Sequence, residues 1–455
     1  MTAFPKGLQR TITPWRNLSQ EGIFFVIWVG QLVSLIGSEL TTFALGIWVF
    51  QTTGSITAFA LIALFATLPS LLIAPVAGAL VDRFDKRKMM LISDTIAGLS
   101  TLCIAILFFS GRLEIWHIYV SAALNATTKV FQTPAYQSAI TMLIPAKQLG
   151  RANGMVQGAQ AVAQLLAPVL AGFLVVTIQV GGVILIDFIT FFCAMLTLLI
   201  VALPSTAAKR SPLSSFRELL EEAAAGWSFI TAHVGLLGIF IALAISNFTT
   251  SLAAVLVTPL VLAFAPASTL GVVLSIAGSG MLFGSLFMSV WGGPRRLING
   301  VLGFGLISGF SFMVAGLQPS AALIAAAGFV IFFDVAVVNS CNQAIWQRKV
   351  PQALQGRVFA LLQMVSSALA PLAFLVAGPL VDRWFEPLLA VNGPLAGSIG
   401  QVVGIGAGRG IGLLFIVIGI VNTVIILIGY LHPRIRNVEA EMPDQSEESV
   451  SRLAG

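Results

Sequence analysis

Twelve apolar runs divide this chain, near residues 23–50, 55–80, 89–110, 115–143, 155–178, 180–203, 235–262, 270–292, 298–316, 321–346, 356–381 and 408–431. At about 1.5 Å of rise per residue, helices of about 20 to 28 residues cross a hydrocarbon core of about 30 Å with some tilt. Inside hydrocarbon every backbone N–H and C=O must find its partner within the segment, so isolated runs of this length are helices. The pattern predicts an all-α membrane protein with twelve transmembrane helices. A water-soluble domain is excluded by its surface. Of 455 residues 57% are hydrophobic and 9% charged, and the mean hydropathy is +0.97, which leaves too few charges to cover a soluble exterior. The thinnest boundary is "TIQVGG", between the fifth and sixth runs. Residues 1–22 are polar, with Pro5 and Pro14, and do not read as a cleavable signal peptide.

Basic residues set the orientation. With the N-terminus cytoplasmic, 20 of the 24 Lys and Arg fall on the cytoplasmic side, Arg112, Arg383 and Arg409 fall outside, and Lys129 lies within a helix. The net charge of +6 is therefore a topology signal, and no soluble basic domain exists to bind nucleic acid. The chain reads as a monomer of the plasma (inner) membrane with both termini cytoplasmic. Its parts are a segment 1–22, a six-helix half 23–203, a linker 204–234, a second half 235–431 and a disordered tail 432–455. In the linker, Ser215 with Glu218 has capping-box spacing, and "FRELLEEAAAGWSFI" reads as an amphipathic helix on the cytoplasmic face. Cys103, Cys193 and Cys341 have no CxxC spacing, and His117, His233 and His432 lie near segment ends, so neither a disulfide framework nor a zinc site is expected. No Walker sequence is present, so no ATP-driven step and no cofactor are expected.

Two repeats stand out. Gln137, Pro145, Gly150, Arg151, Gln157 and Gly172 recur as Gln343, Pro351, Gly356, Arg357, Gln363 and Gly378, which makes the halves parallel duplicates. The phrase "AGALVDRFDKRK" (77–88), charged at six of its last seven positions, restarts at 377 as "AGPLVDR". On the topology above, the first copy is cytoplasmic and the second external. The second therefore reads as a repeated helix end, small residues then a polar stop, without the role of the first.

Twelve helices in two halves, with a basic loop after the second, resemble the major facilitator superfamily over roughly residues 20–435. "GALVDRFDKRK" (Gly78–Lys88) is similar to that superfamily's loop 2–3 signature. "FVIWVGQLVSLIGS" (25–38), "QTPAYQSAITMLIP" (132–145) and "LQGRVFALL" (354–362) resemble its macrolide-efflux and siderophore-exporter branch. The resemblance implies a conformational lock at loop 2–3. There Gly78 admits a neighbouring helix, Asp82 accepts hydrogen bonds at a helix end, and Arg83, Arg87 and Lys88 bridge to carboxylates or a helix C-terminus, with Asp94 as the nearest partner. A merely topogenic basic cluster accounts for the cations but not for the interleaved Asp82 and Asp85. The antiporter signature of helix 5 reads here "AQLLAPVLAG", with Ala163, Ala167, Pro168, Ala171 and Gly172. The spacing is kept, and three of its glycines are alanines. An Arg frequent early in helix 4 is replaced by Asn125, with Lys129 one turn further.

The resemblance also places helices 1, 4, 7 and 10 around a central cavity. Glu39, Lys129 and Asp334 lie on three of them, at about 20 to 24 Å from the cytoplasmic ends. Each is expected to cost about 2.5 to 3.5 kcal/mol in mid-bilayer, and so to be retained for proton coupling, with Glu39 the first proton carrier, Asp334 the second, and Lys129 holding Glu39 charged until substrate or a proton arrives. A static Glu39–Lys129 pair is the plainer alternative. Asp187, on peripheral helix 6, reads as structural. Gln31, Asn125, Asn247, Thr250 and Asn339 are substrate-cavity candidates. "GIGAGRGIG" (404–412) follows no strand and has no acidic residue about twenty positions on, so it reads as a flexible start to helix 12 rather than a dinucleotide loop. "GSGMLFG" (278–284) reads as helix packing. The function expected is not enzymatic but proton-coupled efflux of an amphiphilic small molecule, the partners being substrate, protons and lipid. An importer of a nutrient or lysolipid, and a non-transporting sensor or scaffold, remain alternatives on the same fold.

Overall fold

The computed structural model describes residues 19–81, 85–145, 149–200, 224 and 226–441. It holds twelve long helices: α1 Gln20–Thr53, α2 Ile56–Val81, α3 Lys86–Phe109, α4 Ile115–Leu143, α5 Leu149–Thr177, α6 Gln179–Ile200, α7 Val234–Leu262, α8 Ala267–Trp291, α9 Leu297–Leu317, α10 Ala321–Lys349, α11 Gln352–Leu380 and α12 Arg409–Leu431. No strand occurs among the described residues. Eleven of the helices are long and apolar enough to cross a membrane. The other is α4, which forms over the predicted residues but carries Asn125, Thr127, Thr128, Lys129 and Gln132 in its middle. The narrow boundary at "TIQVGG" is a single turn residue, Ile178, followed by Gln179 at φ 60°. That left-handed backbone is uncommon for a residue with a side chain, and it ends one helix and begins the next without a loop. Ser215 and Glu218, with most of the linker, lie outside the described residues.

The chain divides into two compact units, residues 1–53 with 65–213, and residues 54–64 with 214–455. In the first unit α1 packs on α6 and α5, and α3 packs on α4 and α6. In the second unit α7 packs on α12 and α11, and α9 packs on α10 and α12. Adding six to each number turns the first set of pairs into the second, so the duplication is visible in which helices touch as well as in the sequence. The small-residue face of α5 is a packed seam: Ala163, Ala167 and Ala171 are buried, while Leu166 and Leu170 face outward. In α8, Gly280 and Gly284 lie against the Phe329 and Phe333 carbonyls of α10, leaving no room for a side chain.

Two expectations about irregular segments need correction. "GIGAGRGIG" is not a loose start to α12. Its Arg409 is buried and donates to the Gly316 and Leu317 carbonyls at the end of α9, at 2.8 and 3.2 Å, while Gly408 N–H donates to Glu386 Oε1 at 2.6 Å. A cation on the negative end of a helix supplies donors to carbonyls that have no partner within it. The tail does not become structureless at residue 432. Pro433–Arg436 and Val438–Glu441 form two short helical turns packed on the second unit, with Val438 buried. Residues 442–455 lie outside the described set.

Candidate functional site

In the second unit, α7, α9, α10 and α12 enclose a cavity of about 380 Å³. Its walls bring together all four candidate residues of this half, Asn247 and Thr250 from α7 with Asp334 and Asn339 from α10. Ser320 caps the N-terminus of α10, accepting from Leu323 N–H, and Arg348 and Lys349 lie in the last turn at its negative end. Fourteen residues beyond that cap, Asp334 is 1% exposed, and its Oδ2 has no hydrogen-bond partner among the described residues. Among the described residues it is also the only titratable one in the cavity wall. Three of the amides in the wall are engaged with other groups. Asn247 donates to Ser366 Oγ at 3.1 Å, Asn422 donates to Thr249 Oγ1 at 2.9 Å, and Asn342 Oδ1 accepts from Trp346 Nε1 at 2.9 Å. A carboxylate inside apolar walls with an open acceptor is costly unless it takes up a proton or a donor from whatever enters. Asn342 and Asn422 were not among the candidates. Their signal was available, since "CNQ" and "VNT" each set an amide in an apolar run, but it was weaker than that of a charge.

The first unit arranges its ionisable groups differently. Lys129 Nζ lies 4.0 Å from Glu39 Oε1, so these two do meet, yet their side chains are 65% and 37% exposed. Neither pays the burial cost expected of it, and the pair is a loose contact on the wall of the unit. Asn125, one turn from Lys129, has a buried Oδ1 without a partner. Asp94, just inside α3, was expected to partner the basic loop. It is buried and accepts instead from Gln31 Nε2 at 3.2 Å and from Gln132 Nε2. Gln31, expected free to meet substrate, is thereby committed, with its Oε1 accepting from Gln132 at 3.2 Å. The carboxylate and two amides knit α1, α3 and α4. Asp187 does the same between α6, α1 and α3, accepting from Ser38 at 3.2 Å and Thr101 at 3.3 Å.

Of the loop 2–3 residues, Asp82 and Arg83 lie outside the described set, as does the packing around Gly78 in the last turns of α2. Asp85 is the N-cap of α3, its side chain accepting from Lys88 N–H at 2.9 Å. The Arg87 guanidinium donates to the Leu198 and Leu199 carbonyls at the C-terminal end of α6, at 3.1 and 2.9 Å. The second copy of the phrase is more than a polar stop. Asp382 Oδ2 accepts from Thr57 N–H at 3.0 Å and Thr57 Oγ1 at 2.6 Å, in the first turn of α2, a stretch that belongs to the second unit. Four residues earlier, Gly378 lies against the Thr57 backbone so closely that no Cβ fits. A glycine admitting a helix start and an aspartate capping it is the pair of roles expected at Gly78 and Asp82.

The Major Facilitator Superfamily profile matches residues 27–374. Macrolide efflux protein A of Streptococcus pyogenes is 25% identical over 377 residues, covering 80% of this chain and 91% of that protein. Multidrug efflux pump Tap of Mycolicibacterium fortuitum is 24% identical over 372 residues, covering 80% and 90%. Among solved structures, a bacterial homologue of the human lysosomal transporter Spinster, inward-facing and unoccupied, superposes with a TM-score of 0.65 at 14% identity, covering 91% of this chain and 97% of that one. An inward-facing bacterial homologue of the iron transporter ferroportin gives 0.64 at 11% identity, covering 89% and 98%. These likenesses carry the fold.

Proposed function

The chain belongs to the major facilitator superfamily, and from that premise we propose that it is a proton-coupled exporter of amphiphilic small molecules, working by alternating access with Asp334 as the coupling carboxylate. The observation that carries the reading is Asp334 itself: buried, and, among the described residues, lacking a partner on Oδ2 and the only titratable group on a cavity whose other wall residues are apolar, amide or hydroxyl. A static scaffold gains nothing from such a group, whereas a carrier gains a site that exchanges a proton as the cavity changes sides. Glu39 ranks behind it, because its side chain is 37% exposed and lies 4.0 Å from Lys129 Nζ, so it lacks the burial that singles out Asp334. The efflux direction is supported by the macrolide and multidrug pumps to which the chain is similar. The orientation is supported by the lysine and arginine bias, which puts both termini in the cytoplasm.

The test is transport in proteoliposomes under an imposed pH gradient, with a macrolide as the first substrate. Asp334→Asn is expected to bind substrate but to lose gradient-driven accumulation by about tenfold or more, the scale of an ordinary coupling energy. Glu39→Gln is expected to retain most of it. Accumulation by Asp334→Asn as steep as in the wild type, with the same response to the gradient, removes Asp334 from the coupling.

A further inference from the structure

The cavity around Asp334 is bounded by more than membrane helices. One end of the second unit gathers the starts of α7 and α9 and the end of α12, and there the cavity wall consists of Gly238, Ile298, Ile428, Gly429 and Ile435. Ile435 does not belong to any of the long helices. It lies in the turn Pro433–Arg436, which follows a break at His432, where the backbone becomes extended before Pro433. The polar wall residues lie deeper. Asn247 is thirteen residues into α7, Asn422 nine residues from the end of α12, and Asp334 fifteen residues from the end of α10. The cavity wall is therefore apolar at this end and carries its amides and Asp334 deeper, and Ile435, a residue from beyond the last span, forms part of the apolar end.

The segment carrying Ile435 is held at both ends. On α7, Gly238 lies so close to the Ile435 side chain that a Cβ would collide with it, and a Cβ on Gly235 would stand 2.9 Å from Val438 Cγ2. Val438 is buried in the apolar cluster formed with Leu236, Ile298 and Val337. Beyond it, Glu439 Oε2 accepts from Ile298 N–H at 2.9 Å, placing an anion on the positive end of α9, and Lys349 Nζ donates to the Glu439 carbonyl at 2.7 Å. The segment is held by the Ile435 side chain, the buried Val438, the two polar ties of Glu439, the Arg434 carbonyl against Gly235 and the Arg436 guanidinium 5.8 Å from the Tyr430 ring, contacts that can release without unfolding a helix.

We propose that Pro433–Glu441 is a strap that gates the cytoplasmic end of the Asp334 cavity, with Ile435 as its plug, and that lifting the strap admits water to the chamber. A neck with apolar walls stays dry when narrow and wets when widened, so a small displacement of one side chain switches access. The assignment of this end to the cytoplasm, and the use made of the water at Asp334, rest on the reading above. The gate does not require that Asp334 carry the transported proton.

The experiment reads access directly. Thr250→Cys, in the cavity wall, is placed in a chain whose three native cysteines are replaced. In inside-out vesicles it is labelled with a small, membrane-impermeant cationic methanethiosulfonate. Ile435→Ala is expected to raise the labelling rate at least about tenfold, and Ile435→Trp to lower it below the parent, because the contacts of the partly buried Ile435 with Gly238 and its apolar neighbours set the closed population. Glu439→Gln, which weakens the tie to Ile298 N–H and leaves the plug intact, is expected to raise the rate by a smaller factor. Equal rates in all four proteins, each eluting as a folded species on size exclusion, overturn the strap, as does labelling that proceeds only from the opposite side. Since labelling is independent of transport, loss of coupling in Asp334→Asn with unchanged labelling across the Ile435 series would sink the strap alone. The converse pattern would sink only the coupling role.

Discussion

Charge in an apolar run is the most legible signal at the scale of single residues, and it picked out Asp334 because its cost in hydrocarbon demands a reason. The same rule misjudged Glu39 and Lys129. Position along a helix gives depth, but not whether the side chain meets protein or open space, and here both meet open space. Arg409 and Asp382 were passed over for a different cause. Arg409 donates to backbone carbonyls, those of Gly316 and Leu317, and Asp382 meets the N–H and hydroxyl of Thr57 some 325 positions away, and neither backbone groups nor so distant a pairing leaves a trace in a sequence. Arg409 carries a prediction. Arg409→Met keeps the aliphatic stem and removes every donor, which leaves two helix-end carbonyls and the nearby Glu386 without it. Stability is expected to fall by about 1 to 3 kcal/mol, read as a lower unfolding temperature in detergent, with Arg409→Lys in between. A melting curve for Arg409→Met that superposes on the wild type would show that these bonds contribute nothing.

Helices were read from length and apolarity to within a few residues, since the bilayer imposes both. Segments outside the spans were not, because no such constraint acts on them. The start of α12 was taken as loose and the tail as disordered from composition alone, and each is pinned by contacts from distant parts of the chain. On α5 the spacing of Ala163, Ala167 and Ala171 was legible as a close-packing face, and these residues are buried in the structure. Ala167→Leu is expected to overpack that seam, costing about 1 to 3 kcal/mol and lowering both the unfolding temperature and the yield of folded protein. Leu166→Ala, one position away on the outward face, is expected to change neither beyond a fraction of that. If Ala167→Leu is tolerated as well as Leu166→Ala, the seam is not tightly packed.

For the whole molecule, the duplication seen in six residue matches reappears as four helix pairings common to the two units, which a sequence repeat implies but does not draw. What the repeat did not foretell is that residues 54–64 cluster with the second unit while the rest of α2 belongs to the first. A contact such as Gly378 with Thr57 is specified by shape, not by residue type. The orientation is checkable with reporter fusions at Arg112 and Arg296, which the basic-residue bias places on opposite faces, outside and inside respectively. The same side for both would overturn the topology. One feature of the second unit also bears on mechanics. In the proposed gate, the hollow of about 380 Å³ holds less of the surrounding liquid with the strap seated than with it lifted. Flooding it shrinks the combined volume of protein and solvent, so compression favours the wetted form. Hydrostatic pressure then acts in the same direction as lifting the strap, and it does so without altering a single atom of the chain.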